Sequence, residues 1–519
     1  MKRWLARSQA GLLGRCRRAT VLVTLLTLAV YVRTMAPSVT WSHNGADSGD
    51  LVTAAINLGV PHPTGYPLYV MLGRLFTMWP GGEPAREVTF LSAASAALAV
   101  GVFFWIALRR LVDLEGAEIG PAVAAAWAGV GLAAFGELLW SQATIAEVYG
   151  LHALLVALWV AVALYAPTSR RPYLLAAVLG LGLAHHVTIV LLLAGLWPFL
   201  RSIRRWATPR RLLALGLCLL PGMLAYAYIP LRAAAEPVPN WGRVVDLSGF
   251  LWEVTGEVYR GYLRSPSPSF LLPRLRTVAA IWVRELGPWG LALALLGLWR
   301  SLEIDRRPSL AGLTYVLLLS GYVALYPTVD SQLYLIPAVL VCGLWIAHGA
   351  IVVVHGVQDW LAAVGRSQRT ARVVAWVLAA LPILALVVRF PSMDLHRDNE
   401  ATEYARSVLA AAAPNALVIT EGDQQTFALW YLRYGLRERP DVMLAERGLL
   451  AFSWYRENLA ARHPALAPLT EASDARGAIY IAVQEVARQH PLQLTYTDSY
   501  ADSIGAWEQQ GPLFTLLRR

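Results

Sequence analysis

The chain has 519 residues, of which 57% are hydrophobic and only 15% charged, with a mean hydropathy of +0.48, whereas a soluble domain carries about 25% charged residues. With 20 Trp, 30 Pro and only 3 Cys, it is an integral membrane protein and not a disordered, collagen-like or disulfide-stapled secreted chain. Its net charge of +10 is carried by arginines lying between apolar runs, which the positive-inside rule explains without nucleic acid; Lys2 is the only lysine, a coding bias that points to a bacterial source.

A helix crossing about 30 Å of hydrocarbon needs roughly 20 apolar residues. Eleven runs are candidates, near 19–36, 88–108, 120–138, 150–166, 172–184, 187–200, 211–230, 277–299, 309–326, 333–355 and 372–390. The fifth is too short to cross as a straight helix, so it and the sixth are expected to form a broken pair meeting at His185 and His186. With the N-terminus in the cytoplasm, every inside segment is basic, from Lys2, Arg3 and Arg7 through Arg109/Arg110, Arg170/Arg171, Arg201–Arg211 and Arg300–Arg307 to Arg366–Arg372. An odd count then puts the C-terminus outside the inner (plasma) membrane. The first run reads as an anchor and not a signal peptide, because the polar segment after it is best used beside the membrane. Cys16 lies in the basic N-terminal segment and Cys218 and Cys342 in apolar runs, so no disulfide is expected.

Two outside segments, 37–87 and 231–276, are long and rich in Pro, Gly and Trp, as functional or interfacial loops are. Charge reverses after residue 391: residues 1–391 hold 32 basic and 18 acidic side chains, residues 392–519 hold 12 and 16. The reading is therefore a mainly α polytopic bundle over 1–391 and an extracytoplasmic α/β domain over 392–519. In that domain 416–420, 441–444, 478–483 and 492–497 read as strands, and 425–436 and 454–463 as helices. No Gly-rich fingerprint opens its helices, so no nucleotide site is indicated.

Candidate chemistry collects in the long outside segments. Asp47 and Asp50, three apart at the start of a short helix, are either a capping pair or a carboxylate pair at the outer membrane surface. Three prolines bracket His62 and Gly65, so the segment either presents His62 or Tyr66 toward a site or is a rigid re-entrant turn. His185 and His186 are either half of a metal site or a hydrogen-bonded helix break. Arg232, Asn240, Trp241 and Arg260 suit an anionic headgroup or lipid phosphate, the alternative being snorkelling arginines and an aromatic belt. Glu137 and Glu147 read equally well as loop charges. No cofactor is required by these residues, and a divalent metal is left open.

The strings WSHNGADSGDLVTAAINLGVPHPTGYPLYVMLGRLF, IPLRAAAEPVPNWG and TEGDQQTFALWYLRYGLRERPDV, in that order with many spans between, resemble a family of polytopic membrane proteins. Its animal member is a transmembrane O-mannosyltransferase of plexin-type receptor domains. The resemblance runs over roughly 19–460 and implies a GT-C-like glycosyltransferase. Such an enzyme takes a sugar, mannose favoured, from a polyprenyl-phosphate donor on the outer face and passes it to an acceptor hydroxyl on protein or glycan. It carries the role of general base onto Asp47, or else Asp50, where the family often has Glu. Inverting transfer needs that base and a cation for the leaving phosphate, for which Arg232, Arg260 or His186 are candidates. The tail is shorter than that of the animal member, which leaves the acceptor open. A polytopic secondary transporter is the alternative, and a structural assembly factor is a third reading.

Overall fold

The computed structural model describes residues 2–263, 267–366 and 369–517. Residues 264–266 of the second long segment, and the side chains of Lys2, Arg3, Arg7 and Arg369, lie outside the described residues. Each of the eleven apolar runs is helical, because an apolar segment in lipid must satisfy its backbone internally. The first is a helix over Lys2–Thr34 and the second one over Pro84–Glu115. The fifth and sixth are an α-helix over Arg171–Leu183 and a 3-10 helix over Val187–Phe199, broken at His185 and His186.

The eleven candidate runs differ in length and straightness. Among the described residues seven stretches are long and apolar enough to cross, or eight if Ile119–Ala134 and Glu137–Ala143, bent by 65° at their junction, count as one. Tyr149–Tyr165 and Arg171–Leu183 are shorter apolar helices. A short or bent apolar helix is accommodated where its backbone packs beside protein, since buried backbone there needs no full hydrocarbon span. The bundle is centred on Ser331–Ala363 and Pro84–Glu115, whose apolar 18-residue stretches have 83% and 78% of their residues buried, while Pro209–Ala233 and Arg372–Met393, at 17% each, lie at its edge.

The tail forms a five-stranded sheet of β1 (Leu417–Thr420), β2 (Met443–Glu446), β3 (Leu492–Leu494), β4 (Trp507–Gln510) and β5 (Leu513–Leu516), in the order β2-β1-β3-β5-β4. Strand β1 pairs in parallel with β2 and β3, Leu417 opposite Met443 on one side and Leu492 on the other; β5 runs antiparallel to β3 and β4. The expected strand over 478–483 is a helix, Ala475–Gln484, started by Asp474, whose Oδ1 accepts from Gly477 N at 2.8 Å. A short apolar run fits a buried strand and a helix face equally, and here the cap decides. The β4–β5 hairpin, with mostly exposed polar residues on β4, carries no alternation to read.

The sheet domain sits on the bundle through the segment that holds the carboxylate pair. Its Asp423–Trp430 helix packs against the Ser48–Asn57 helix so closely that a Cβ on Gly49 would stand 2.2 Å from the Phe427 carbonyl oxygen. Trp41 Nε1 donates to Gln424 O (2.7 Å), Tyr431 OH to Glu83 Oε1 (2.5 Å) and Asn458 Nδ2 to Asn240 O (2.7 Å).

Candidate active site

The Ser48–Asn57 helix is entered through a 3-10 turn, Ser42–Asp47, in which His43 and Asn44 take left-handed backbone angles (φ 60° and 61°). Such angles cost of order 1–3 kcal/mol unless the surroundings hold them. His43 is held on both ring nitrogens, at 3.0 Å from Thr144 Oγ1 and 2.9 Å from Ser392 O, and its carbonyl accepts from Gln142 Nε2 at 2.9 Å. Ser48 N donates to Gly45 O within the 3-10 turn, and the Asp47 side chain makes no capping bond. The capping alternative therefore does not describe Asp47.

The two carboxylates have opposite surroundings. Asp50 is wholly buried and saturated: Oδ2 accepts from His62 N (2.9 Å) and His62 Nδ1 (2.8 Å), and Oδ1 from Trp241 Nε1 (3.3 Å). Asp47 is 40% exposed, its Oδ2 lying 3.7 Å from His62 Nε2. Gly65, at φ 76°, lets the PHPTGY turn close over this pair, since a Cβ there would meet Ile229 Cδ1 at 2.8 Å.

Asp47 opens into a cavity of about 610 Å³. Besides Asp47 and His62 it is walled by Tyr66, Glu147, His186 and Asp330, with Asp423 reaching in from the sheet domain and Arg260 at its edge. Although its side chain is only partly covered, the protein packed around Asp47 strips water from it and raises it above the usual carboxylate range; the charge of His62 pulls it down, and Asp50 and Asp330 push it up again. Glu147 is driven well above its usual range by burial and then by the charge of Asp47. Burial alone would lower His62, but Asp47 and the bond to Asp50 outweigh it and bring the imidazole to about 10, so at neutral pH it is a cation. Asp423 is raised to about 6 by burial and the charge of Asp47.

The other candidates divide. His186 lines the cavity with its Nδ1 2.7 Å from Thr188 Oγ1, and Arg260 lines it with Nη2 donating to Thr255 Oγ1 at 3.2 Å. His185 does not reach it: its Nε2 donates to Val148 O (2.8 Å) and holds the Glu147 loop from behind. Arg232 is not brought to the cavity either. Its Nε and Nη2 donate to Leu58 O (2.7 Å) and Asn57 O (3.1 Å), closing the C-terminal end of the Ser48–Asn57 helix, where cations are favoured. Asn240 ties the bundle to the sheet domain, with Nδ2 donating to Ala233 O and Asn458 Oδ1, both at 3.3 Å. Trp241 lies behind Asp50 and edge-on to His62. His185 Nε2 and His186 Nδ1 have partners inside the protein while the buried His185 Nδ1 has none, and among the described residues no group of three or more His, Cys, Asp or Glu converges as a metal site.

Sequence reasoning missed Asp330, Asp423 and the buried Glu253, whose carboxylate has no hydrogen-bond partner, and left Glu147 as a loop charge. Glu147 had a signal, a lone acid between apolar helices. Its backbone is clamped by Ser92, whose Oγ donates to Glu147 O (2.8 Å) and accepts from Glu147 N (3.1 Å).

A helical membrane bundle with an aromatic, carboxylate-lined cavity under a small α/β domain is the GT-C architecture. The structure superposes on ArnT from Cupriavidus metallidurans, both bound to undecaprenyl phosphate and in the apo state, with a TM-score of 0.57 over 96% of this chain and 97% of that one, at 14% and 13% identity. Within that fold class the sequence is more particular. Residues 47–209 match the family description "Protein O-mannosyl-transferase TMEM260 N-terminal domain" and residues 401–475 match "TMEM260-associated domain 2". The mouse protein O-mannosyl-transferase TMEM260 is 29% identical over 482 residues, covering 86% of this chain, and its Dictyostelium discoideum counterpart is 24% identical over 498 residues, covering 84%. The chain spans 65% and 58% of the length of these relatives. The resemblance read from the three sequence strings is to this same family, and the chain is a multi-pass membrane protein.

Proposed function

We propose that the chain is an inverting membrane glycosyltransferase that moves a sugar, with mannose favoured, from a polyprenyl-phosphate donor to an acceptor hydroxyl on a protein or glycan. The observation that carries this reading is Asp47, a carboxylate raised by burial, making no capping bond and open to a cavity of about 610 Å³. In the reaction the acceptor oxygen attacks the anomeric carbon as Asp47 takes its proton. The bond from that carbon to the donor phosphate breaks, and polyprenyl phosphate leaves with the electron pair. Arg260 at the cavity edge is the cation nearest in kind to what a leaving phosphate needs. Asp50 is a positioning residue: it orients His62, whose positive charge favours the ionised form of Asp47 against the burial that raises it. Glu147, raised by burial and by the charge of Asp47, is placed to hydrogen-bond a sugar hydroxyl.

The proposed topology has the N-terminus in the cytoplasm, and the cavity and the domain from residue 392 outside, in a bacterial inner membrane. The basic inside segments support this orientation, and the arginine-only composition supports the source. The secondary-transporter alternative gains nothing from the cavity, whose acids gather at one end of the helices. Purified protein incubated with labelled polyprenyl-phosphate mannose and other polyprenyl-phosphate sugars tests the reading. Release of free polyprenyl phosphate with transfer to an acceptor is expected; no release from any such donor would remove it.

A further inference from the structure

The bundle has a second cavity, of about 560 Å³, at the other end of the helices that wall the first. The Tyr149–Tyr165 helix gives Tyr149 to the candidate active site and Trp159 to this one. Val187–Phe199 gives Thr188 there and Leu192 and Phe199 here, and Arg306–Leu325 gives Tyr322 there and Arg306 and Tyr315 here. Along the last helix Arg306 and Tyr322 are about 24 Å apart at 1.5 Å per residue.

Two kinds of wall meet in this cavity. One is apolar, lined by Trp159, Leu192, Val341 and Trp345; the other carries a rim of Arg171, Arg306 and Arg307, with the buried Arg110 behind it, against a single acid, Asp305. Arg171 donates to Ala166 O, at 3.1 and 2.9 Å. Asp305 is engaged by Arg110 Nη1 at 2.9 Å. Arg110 is itself braced from behind, Nε donating to His348 Nε2 (3.4 Å), with His348 Nδ1 bound to Glu115 (3.1 Å) and Glu115 to Arg300 (2.9 Å). Among the described residues Arg306 and Arg307 take part in no ion pair, and both are exposed. Inside the rim, Tyr315 OH and Ser301 Oγ belong to side chains that are each 2% exposed, and neither has a hydrogen-bond partner. Native interiors rarely leave such groups unmet. An apolar slot, two unmet hydroxyls and an under-compensated arginine rim are together the complement of an anionic amphiphile, because guanidinium groups bind phosphate oxygens in pairs while apolar walls take an acyl chain.

We propose that this cavity binds one anionic phospholipid of the surrounding membrane, its phosphodiester head at Arg306 and Arg307 and an acyl chain along Trp159 and Trp345. The site is separate from the one proposed for the sugar donor and does not depend on that activity.

The test uses the full chain, delipidated in detergent and titrated in turn with phosphatidylglycerol, phosphatidylcholine of the same acyl chains, and inorganic phosphate. Bound lipid is counted by native mass spectrometry and unfolding is followed by intrinsic fluorescence. Phosphatidylglycerol is expected to be retained and to raise the melting temperature, with the other two doing neither at the same concentration. In an Arg306→Ala/Arg307→Ala double variant, whose exposed side chains leave the lipid-free melting temperature unchanged, its apparent affinity falls about tenfold or more. Tyr315→Phe is expected to raise the melting temperature of the lipid-free protein and to shrink the shift phosphatidylglycerol produces. Equal retention of both lipids, full retention by the double variant, or an undiminished shift in Tyr315→Phe would overturn the proposal. A shift with inorganic phosphate as large as with phosphatidylglycerol would overturn the lipid assignment.

Discussion

The two cavities share helices and differ in the sign of what they leave unpaired. At one end Asp47, Glu147, Asp330 and Asp423 meet only the imidazolium of His62 and, at the edge, Arg260, so acids outnumber the counter-charge. At the other, Arg110, Arg171, Arg306 and Arg307 share the lining with one acid, Asp305. A site that keeps carboxylates short of counter-charge holds bases and neutral acids, which suits chemistry on hydroxyl groups. One that keeps guanidinium groups short of counter-charge holds anions. The apolar middles of the helices carry no such information, and function is written at their ends.

The comparison is broken most directly at Asp47. Asp47→Asn keeps the shape but takes no proton, so sugar transfer should fall by about 10²–10⁴ while the melting temperature stays close to that of the parent. A fully active variant would leave the acidic cavity without its base.

Asp50→Asn should act one step back, through His62. It removes the charge that three donors share, so turnover should drop by about 10–10²-fold, with a pH signature that a packing defect would lack. His62 stands at about 10 in the folded chain against 6.5 for a free imidazole. Its contribution to stability is thus complete below about 6.5 and is lost as pH rises through 10. In Asp50→Asn that alkaline loss should begin at lower pH, which thermal melts across pH 6–10 would detect.

Gly49→Ala tests whether the sheet domain closes the acidic cavity by contact. Its Cβ would stand 2.2 Å from the Phe427 carbonyl oxygen, backbone that has no room to yield. A loss of about 1–3 kcal/mol is expected, together with faster proteolysis of the segment after residue 392.

Smaller effects sharpen the electrostatics. Asp330 raises Asp47, so Asp330→Asn should move the acidic limb of the rate profile to lower pH without abolishing transfer. Arg232→Ala should leave donor affinity unchanged and cost only about 1 kcal/mol of stability through the lost carbonyl bonds. A weakened donor affinity would instead bring Arg232 back to the phosphate.

Much of the fold is legible without coordinates because lipid imposes a simple rule on backbone. All eleven apolar runs are helices, including the pair interrupted at His185 and His186. The site is less legible. The first outer segment declares itself through the density of Asp47, Asp50, His62 and Tyr66, yet Asp330 is a single acid in a short connection and Asp423 a single acid opening a helix, joined to it only by packing. Arg232 and Arg260 look alike in sequence, but one is spent on the carbonyls of Asn57 and Leu58 and the other edges the cavity.

Composition and apolar periodicity determined that this is a polytopic helical membrane protein with a mixed α/β tail, since hydrophobic burial and backbone satisfaction depend on residue type and spacing. The three motif strings determined the family it resembles. Tertiary structure alone decided which of two carboxylates three residues apart is saturated and which is free. That outcome is set by partners far away in the chain, with Trp241 reaching Asp50 from the second long segment and Asp423 entering the cavity from the sheet domain. It also decided that arginines read as topological markers enclose a cavity, because residues that are unrelated neighbours in sequence become one rim only when the helices pack.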